Sequence, residues 1–293
     1  DAMMRSTART RIGNYRGASK VGRNSFDLLM ELPTEHIRLD CAALHFARDV
    51  YTHLDFDRYI AQLDALANDV GARRPGLSAP LRYQAMRDVL VEEHGFRGDM
   101  ENYSDPQNSY LNRVLDRRLG VPASLSAIWI EVGRRLKWPV QGVALPGHFL
   151  VRFDDREHLV LADPFNGGRS LSIGDCRRLV NNLTDCPLRF STRMLAPVDT
   201  RATLARMLHN LRRIYLARCD WQRLALVLRR LVAVEPDSGQ HLQDLASVCA
   251  RRGDMRGAYG CLHLYLRRVP DARDCDVVQS NLSRLEAAML ARN

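Results

Sequence analysis

From residue 25 onward apolar positions recur every three or four residues, and that spacing predicts a chain built mainly of helices. Leu39, Ala42, Ala43 and Phe46 share one helical face after a start signal at Pro33-Thr34-Glu35. Ile60, Leu63, Ala67 and Val70 share another, with Asp55 and Asp57 near its N-terminal end. A break at 71–80 precedes a third helix carrying Leu81, Met86, Val89 and Leu90, which stops before Gly95. Together these predict a packed helical layer. Asn108 is placed to cap a further helix with Leu111, Val114, Leu115 and Leu119, ended by Gly120. Pro122 fits the first turn of the next, whose Leu125, Ile128, Val132 and Leu136 are widened by Ala127, Trp129 and Ile130 into the broad apolar face of a buried central helix.

The pattern then changes period. Residues 140–144 and 148–153 run apolar or alternate, residues 154–157 form an acidic hairpin tip, and 158–162 return. Pro164 cannot continue a ladder, so Asp163-Pro164 closes that strand and Asn166-Gly167-Gly168 turns the chain toward a helix at 174–183. Along the first face of the second strand lie Phe149, Val151 and Phe153; His148, Leu150 and Arg152 lie along the other.

The last third repeats itself. Asp220 recurs as Asp254, Leu211 as Leu245, Leu228 as Leu262 and Pro236 as Pro270, each 34 residues apart. That period, with helices punctuated by prolines, resembles tetratricopeptide repeats. The apolar set Leu208, Leu211, Tyr215, Leu224, Leu228 and Leu231 is answered by Leu242, Leu245, Cys249, Ala258, Leu262 and Tyr265, and 273–291 read as a capping helix. Two repeats are fewer than the roughly three of a free-standing solenoid, so the unit is expected to lean on the preceding domain.

Composition narrows the classes. At 293 residues the chain should hold two cores and a loose end, the latter a disordered basic arm at 1–24. The net charge of +9 is concentrated at the two ends, and 25–199 is slightly acidic, which favours an acidic protein or peptide partner for the repeats. Nucleic acid is disfavoured because no aromatic-interleaved basic run, zinc-finger spacing or helix-turn-helix is present. No apolar run reaches the roughly 18 residues of a membrane span. Seven scattered cysteines with no CxxC read as buried apolar residues of a reduced, cytoplasmic protein. No cofactor motif occurs, and Cys41, His36 and His45 lack the partners of a metal site.

Candidate chemistry lies in residues 119–168. A helix start at 122–124 presents free N–H groups and a positive dipole end. His148 opens a strand and Asp163 ends the next, so a nucleophile, a base and an acid that orients the base can meet there. Four segments carry a family resemblance: Asn108-Ser109-Tyr110-Leu111-Asn112-Arg113-Val114-Leu115, Arg118-Leu119-Gly120-Val121-Pro122-Ala123-Ser124-Leu125-Ser126, Leu145-Pro146-Gly147-His148-Phe149-Leu150-Val151-Arg152 and Asp163-Pro164-Phe165-Asn166-Gly167-Gly168. In this order they resemble the transglutaminase-like core, and more closely the bacterial SirB-like family. The resemblance implies an α+β fold with a papain-like core at 25–199, comprising an N-terminal helical layer and a small antiparallel sheet, then an all-α tetratricopeptide-like unit at 200–293.

In catalytic members of the superfamily the helix start carries Cys; here that position falls at or next to Ser124, while His148 and Asp163 match by type. A helix dipole can ionise a thiol but not a serine hydroxyl, so Ser124 needs His148 as a true general base. Two readings follow. In one, Ser124 caps the helix, His148 and Asp163 hold the hairpin, and the chain is an interaction module whose Arg229, Arg230, Arg251, Arg252, Arg267 and Arg268 hold an acidic segment. In the other it is an acyl-transfer or amide-hydrolysing enzyme in which Ser124 attacks, His148 moves the proton and Asp163 orients His148. Ser126 is a second, more deeply helical nucleophile candidate, His158 an edge residue, and Asn166 a turn residue able to line the cleft.

Overall fold

A computed structural model describes residues 25–183, 190–270 and 273–290; the arm at 1–24 and Cys186 lie outside them. The helical layer comprises α1 (Ser25–Met30), α2 (Leu39–Arg48), α3 (Phe56–Ala72) and α4 (Ala79–Arg87). Asp55 caps α3 through a bond from the Arg58 N–H, and α4 runs on into a π-helical turn at Asp88–Glu93.

Helix α5 (Leu111–Arg117) leads to α6 (Pro122–Arg135), the central helix. Nearly every residue of α6 from Pro122 to Gly133 is buried, as its wide apolar face requires. Two expectations here are corrected. Asn108 does not cap α5; it sits in a 3-10 turn at Pro106–Ser109, and Tyr110 takes the cap position. Nor does Gly120 end that helix. Arg118 does, in the left-handed region at φ 61°, and Leu119–Gly120 (β2) pairs in parallel with Arg97–Gly98 (β1). Gly120 is needed for closeness, because a Cβ there would stand 2.8 Å from the Ser124 hydroxyl.

A four-stranded antiparallel sheet follows in sequential order: β3 (Val140–Leu145), β4 (His148–Asp154), β5 (Leu159–Asp163) and β6 (Arg169–Leu171). His158 falls in the hairpin tip before β5, and β6 is a strand that the sequence pattern did not separate from its flanking turn. Phe149, Val151 and Phe153 pack against α6 in the main core. Leu150 joins Val143, Leu161, Cys176 and Val180 in a smaller cluster beneath α7 (Ile173–Leu183).

The repeats are α8 (Thr200–Ala217) with α9 (Trp221–Val234), then α10 (Gly239–Arg251) with α11 (Met255–Arg268), closed by α12 (Cys275–Leu290). The repeated Asp220 and Asp254 are equivalent N-caps, accepting bonds from Arg223 N and Gly257 N at 3.0 and 2.8 Å. Each such cap stabilises its helix by about 1 kcal/mol. The two separate cores expected from length are instead one apolar cluster running from Phe26 to Ala258, with smaller satellites. Helix α8 joins the halves: Leu204, Leu208 and Leu211 enter the main cluster, and the Tyr215 hydroxyl meets that of buried Tyr110 at 2.9 Å.

Elsewhere a buried ionic knot ties α2 to α6. Arg135 reaches Asp40 at 2.7 Å and Glu131 at 2.5 Å, while Arg134 reaches Glu131 at 2.8 Å. Burial, and then the charge of Asp40, push the Glu131 carboxyl up. Among the described residues no helix is long and apolar enough to cross a membrane. The six described cysteines are free; Cys176 and Cys249 are buried as expected, but Cys219 is exposed.

Candidate active site

The geometry begins with the β3–β4 turn. Leu145 and His148 are paired, leaving Pro146 and Gly147 as a two-residue loop in which Gly147 takes φ 77°, a conformation glycine adopts without a Cβ clash. His148 is thereby fixed as the first residue of β4. The β4–β5 register pairs Val151 with Ala162, and carried back toward the turn it sets Asp163 diagonally across from His148. Their side chains meet: His148 Nε2 lies 2.9 Å from Asp163 Oδ1. A carboxylate only accepts, so Nε2 carries the proton and, in the neutral ring, Nδ1 holds the lone pair. Nδ1 makes no hydrogen bond among the described residues.

Asp163 is fully buried and held from both sides. Asn166 donates its backbone N–H to Oδ1 at 3.2 Å and its side-chain amide to Oδ2 at 2.7 Å. Burial pushes the Asp163 carboxyl up, but the bond and charge of His148, with both Asn166 bonds, outweigh it and hold the group below the usual range. Asn166 thus orients the acid, a role that its place in a turn motif did not reveal. Edge-on to the His148 ring stands Phe165, centroids 6.0 Å apart.

Opposite this pair a cavity of about 410 Å³ opens between the core and the repeats. Its core wall is formed by Pro122 and Ala123 with Gly147 and His148; its repeat wall comes from α8, through Arg206, His209 and Arg213. The Arg206 guanidinium donates to the carbonyls of Leu145 and His148 at 3.3 and 3.2 Å, bracing the turn that presents His148. Arg213 lies over the Tyr103 ring, 5.8 Å from its centroid. Among the described residues no carboxylate lines this cavity, and Arg206 and Arg213 make it cationic.

Ser124 is not among the lining residues. It occupies the third position of α6, fully buried, where Oγ donates to the Asn108 carbonyl at 2.5 Å and accepts the Val121 N–H at 3.1 Å. The capping that suits serine therefore operates from inside the first turn rather than from the cap position itself, which Val121 holds. Ser126 is also fully buried, with no partner for Oγ among the described residues. Asn108 anchors this corner through bonds to Asp99, to the Asn102 carbonyl and from Arg117.

Comparison with known proteins fits this architecture. The family model for the transglutaminase-like superfamily matches residues 57–209, and that for tetratricopeptide repeats matches 211–283. A UPF0162 protein of Xylella fastidiosa strain Temecula1 is 35% identical over 260 residues, covering 87% of this chain and 92% of that one. The chain belongs to the UPF0162 family of transglutaminase-like proteins. A UPF0162 protein of Pseudomonas aeruginosa is 34% identical over 159 residues, 54% of this chain and 57% of that one. Human F-box only protein 21 is 29% identical over 135 residues, 43% of this chain and 20% of its own length. The two family models meet inside α8, the helix that supplies the repeat wall of the cavity.

The repeats hold a second, larger concavity of about 790 Å³, floored by Leu226, Leu242, Leu245 and Leu264. Arg201, Arg229, Arg230 and Arg268 rim it together with Asp27 and Glu31. Arg230 corrects the expectation that the repeat arginines all face a partner. Only 6% of its side chain is exposed; it binds Asp49 through two bonds of 2.8 and 2.6 Å and stacks on Phe26. Arg251 lies over Trp221.

The described residues also bring together a cluster that local spacing could not foretell: His209, Glu235 and His241, whose ligand atoms all lie within 4.8 Å of one another.

Proposed function

We propose that this chain is a protein-interaction module that binds a protein or peptide bearing carboxylate groups, in the bacterial cytoplasm, with binding rather than turnover as its task. We also place it with the SirB-like branch of the superfamily. The observation that carries the reading is the make-up of the cavity facing His148: Ala123 stands at the helix start, the Ser124 hydroxyl is held by Asn108 and Val121, and Arg206 and Arg213 supply positive charge with no lining acid among the described residues. Such a cleft favours a carboxylate from outside. The apolar floor and arginine rim of the repeat concavity support a segment of the same partner lying along it.

One observation favours a second reading, an acyl-transfer or amide-hydrolysing enzyme. His148 is oriented by Asp163 through Nε2 and has Nδ1 uncommitted, the arrangement a general base needs. In that reading Ser124 Oγ leaves Asn108 and attacks a carbonyl carbon, its proton passes to His148 and then to the departing amine, and N–H groups near residues 123–125 stabilise the oxyanion.

Two measurements separate them. A fluorescein-labelled glutamate-rich peptide should bind with strong salt dependence and weaken about tenfold in Arg213→Glu, a change expected for loss of a cleft charge. Covalent labelling by a fluorophosphonate probe that vanishes in both Ser124→Ala and His148→Ala would overturn the binding reading in favour of the enzyme.

A further inference from the structure

His209 lies on α8, Glu235 closes α9 and His241 lies in the first turn of α10, so three elements meet where the first repeat joins the second. Both imidazoles aim Nε2 at the same oxygen: His209 at 2.9 Å and His241 at 2.7 Å from Glu235 Oε2. The rings stand 5.4 Å apart. For two hydrogen bonds to one carboxylate oxygen, both nitrogens must carry protons. His241 is then left with Nδ1 buried and, among the described residues, without a partner. Only 7% of its side chain is exposed, so packing holds the ring in place.

We propose that His209, Glu235 and His241 form a zinc site. Two imidazole nitrogens and one carboxylate oxygen are a donor set that zinc takes, with a fourth position left for water or an incoming ligand. Bonds of 2.0–2.1 Å in tetrahedral geometry separate ligand atoms by about 3.3 Å. The two histidine-to-Glu235 spacings of 2.7 and 2.9 Å open by about half an ångström to reach that separation, and all three ligand atoms already lie within 4.8 Å of one another. The nearby Arg212 is paired with Asp244 at 2.6 Å, which offsets the positive charge that would compete with the ion.

Because His209 also lines the cavity opposite His148, the ion would sit at the edge of that cleft. It would fasten α8, the α9–α10 turn and α10 together. This inference stands independently of whether the cleft binds or turns over its partner.

The test uses the whole chain, freed of metal by chelation and titrated with Zn²⁺ by calorimetry and with Co²⁺ by visible absorption. One equivalent of each should bind, with ligand-field bands for cobalt and no sulfur-to-cobalt charge-transfer band. Zinc should raise the melting temperature. His241→Ala should weaken uptake at least 100-fold and Glu235→Gln about tenfold, losses in the range caused by removing ligands or their partners. Since His241 is buried, His209→Asn, at a half-exposed position, serves as the second variant and should weaken uptake comparably while the far-ultraviolet circular dichroism is unchanged. The proposal is overturned if no stoichiometric uptake occurs, if His209→Asn binds as wild type does, or if a charge-transfer band places the ion on cysteine.

Discussion

Both concavities carry arginine, but the arginines do different work. Around the repeat groove, Arg230 is bound to Asp49, and Arg201 reaches the carbonyls of Met30 and Leu32 at 2.5 and 3.4 Å. These cations hold the repeats to α1 and α2. In the cleft, Arg206 and Arg213 have no carboxylate within ion-pair distance among the described residues; one braces two carbonyls and the other lies over Tyr103. Positive charge counted along a chain is therefore a poor guide to where charge is available. Arg230 and Arg201 are spent on internal acid and carbonyl partners, whereas Arg213 keeps its charge facing the cavity.

The sharpest break in this comparison is Arg230→Ala. It leaves Asp49 without its partner and should lower stability by about 3 kcal/mol in a urea melt, the cost typical of a broken buried pair. At the cleft, Asp163→Asn should cost about 2 kcal/mol near neutral pH by weakening a charge-assisted bond to His148. The sign of its pH dependence follows from the depressed carboxyl of Asp163. The stability it adds is complete above the range where an unfolded aspartate titrates, about pH 4, and is lost as pH falls through the lower folded value. The gap between wild type and variant should therefore narrow in acid.

Ala123→Cys tests which residue faces the cavity. A thiol there, at a helix start and in the cavity that His148 lines, should be alkylated by iodoacetamide at pH 7 roughly tenfold or more faster than Cys41 or Cys176. Burial pushes the Cys41 and Cys176 thiols up to about 12 and about 11. Ser124→Cys should show no such gain. Ser124→Ala should destabilise by about 1 kcal/mol through loss of its bonds to Asn108 and Val121. Arg213→Gln should change stability by about 0.5 kcal/mol or less, since no internal ion pair is lost, yet weaken binding of the acidic peptide.

Much of the fold was legible because its signals are local. The apolar period of α6, Pro122 at its start, and the 34-residue recurrence of Asp220 and Asp254 each report on residues within one or two turns. His148 and Asp163 could be paired in advance because the tip between their strands is short and the strand period is fixed. Ser124 was harder. Successive helical residues point about 100° apart, so whether residue 123 or 124 faces the cavity depends on how α6 is rotated by the sheet and α5 packed against it. Asn166 looked like turn chemistry because its bonds to Asp163 form only once the 163–168 turn closes.

Sequence alone determined the helices, the hairpin, the repeat and the His148–Asp163 candidate pair, since caps, periods and turns act between near neighbours. Tertiary structure decided the rest. It made α8 a wall of the cleft, turned Ala123 rather than Ser124 toward the cavity, and placed Arg230 against Asp49, 181 residues away in sequence. It also gathered His209, Glu235 and His241 from three elements. The reason is physical: contacts between distant segments are fixed by how buried faces pack, and no short stretch of chain records which surfaces will be left facing one another.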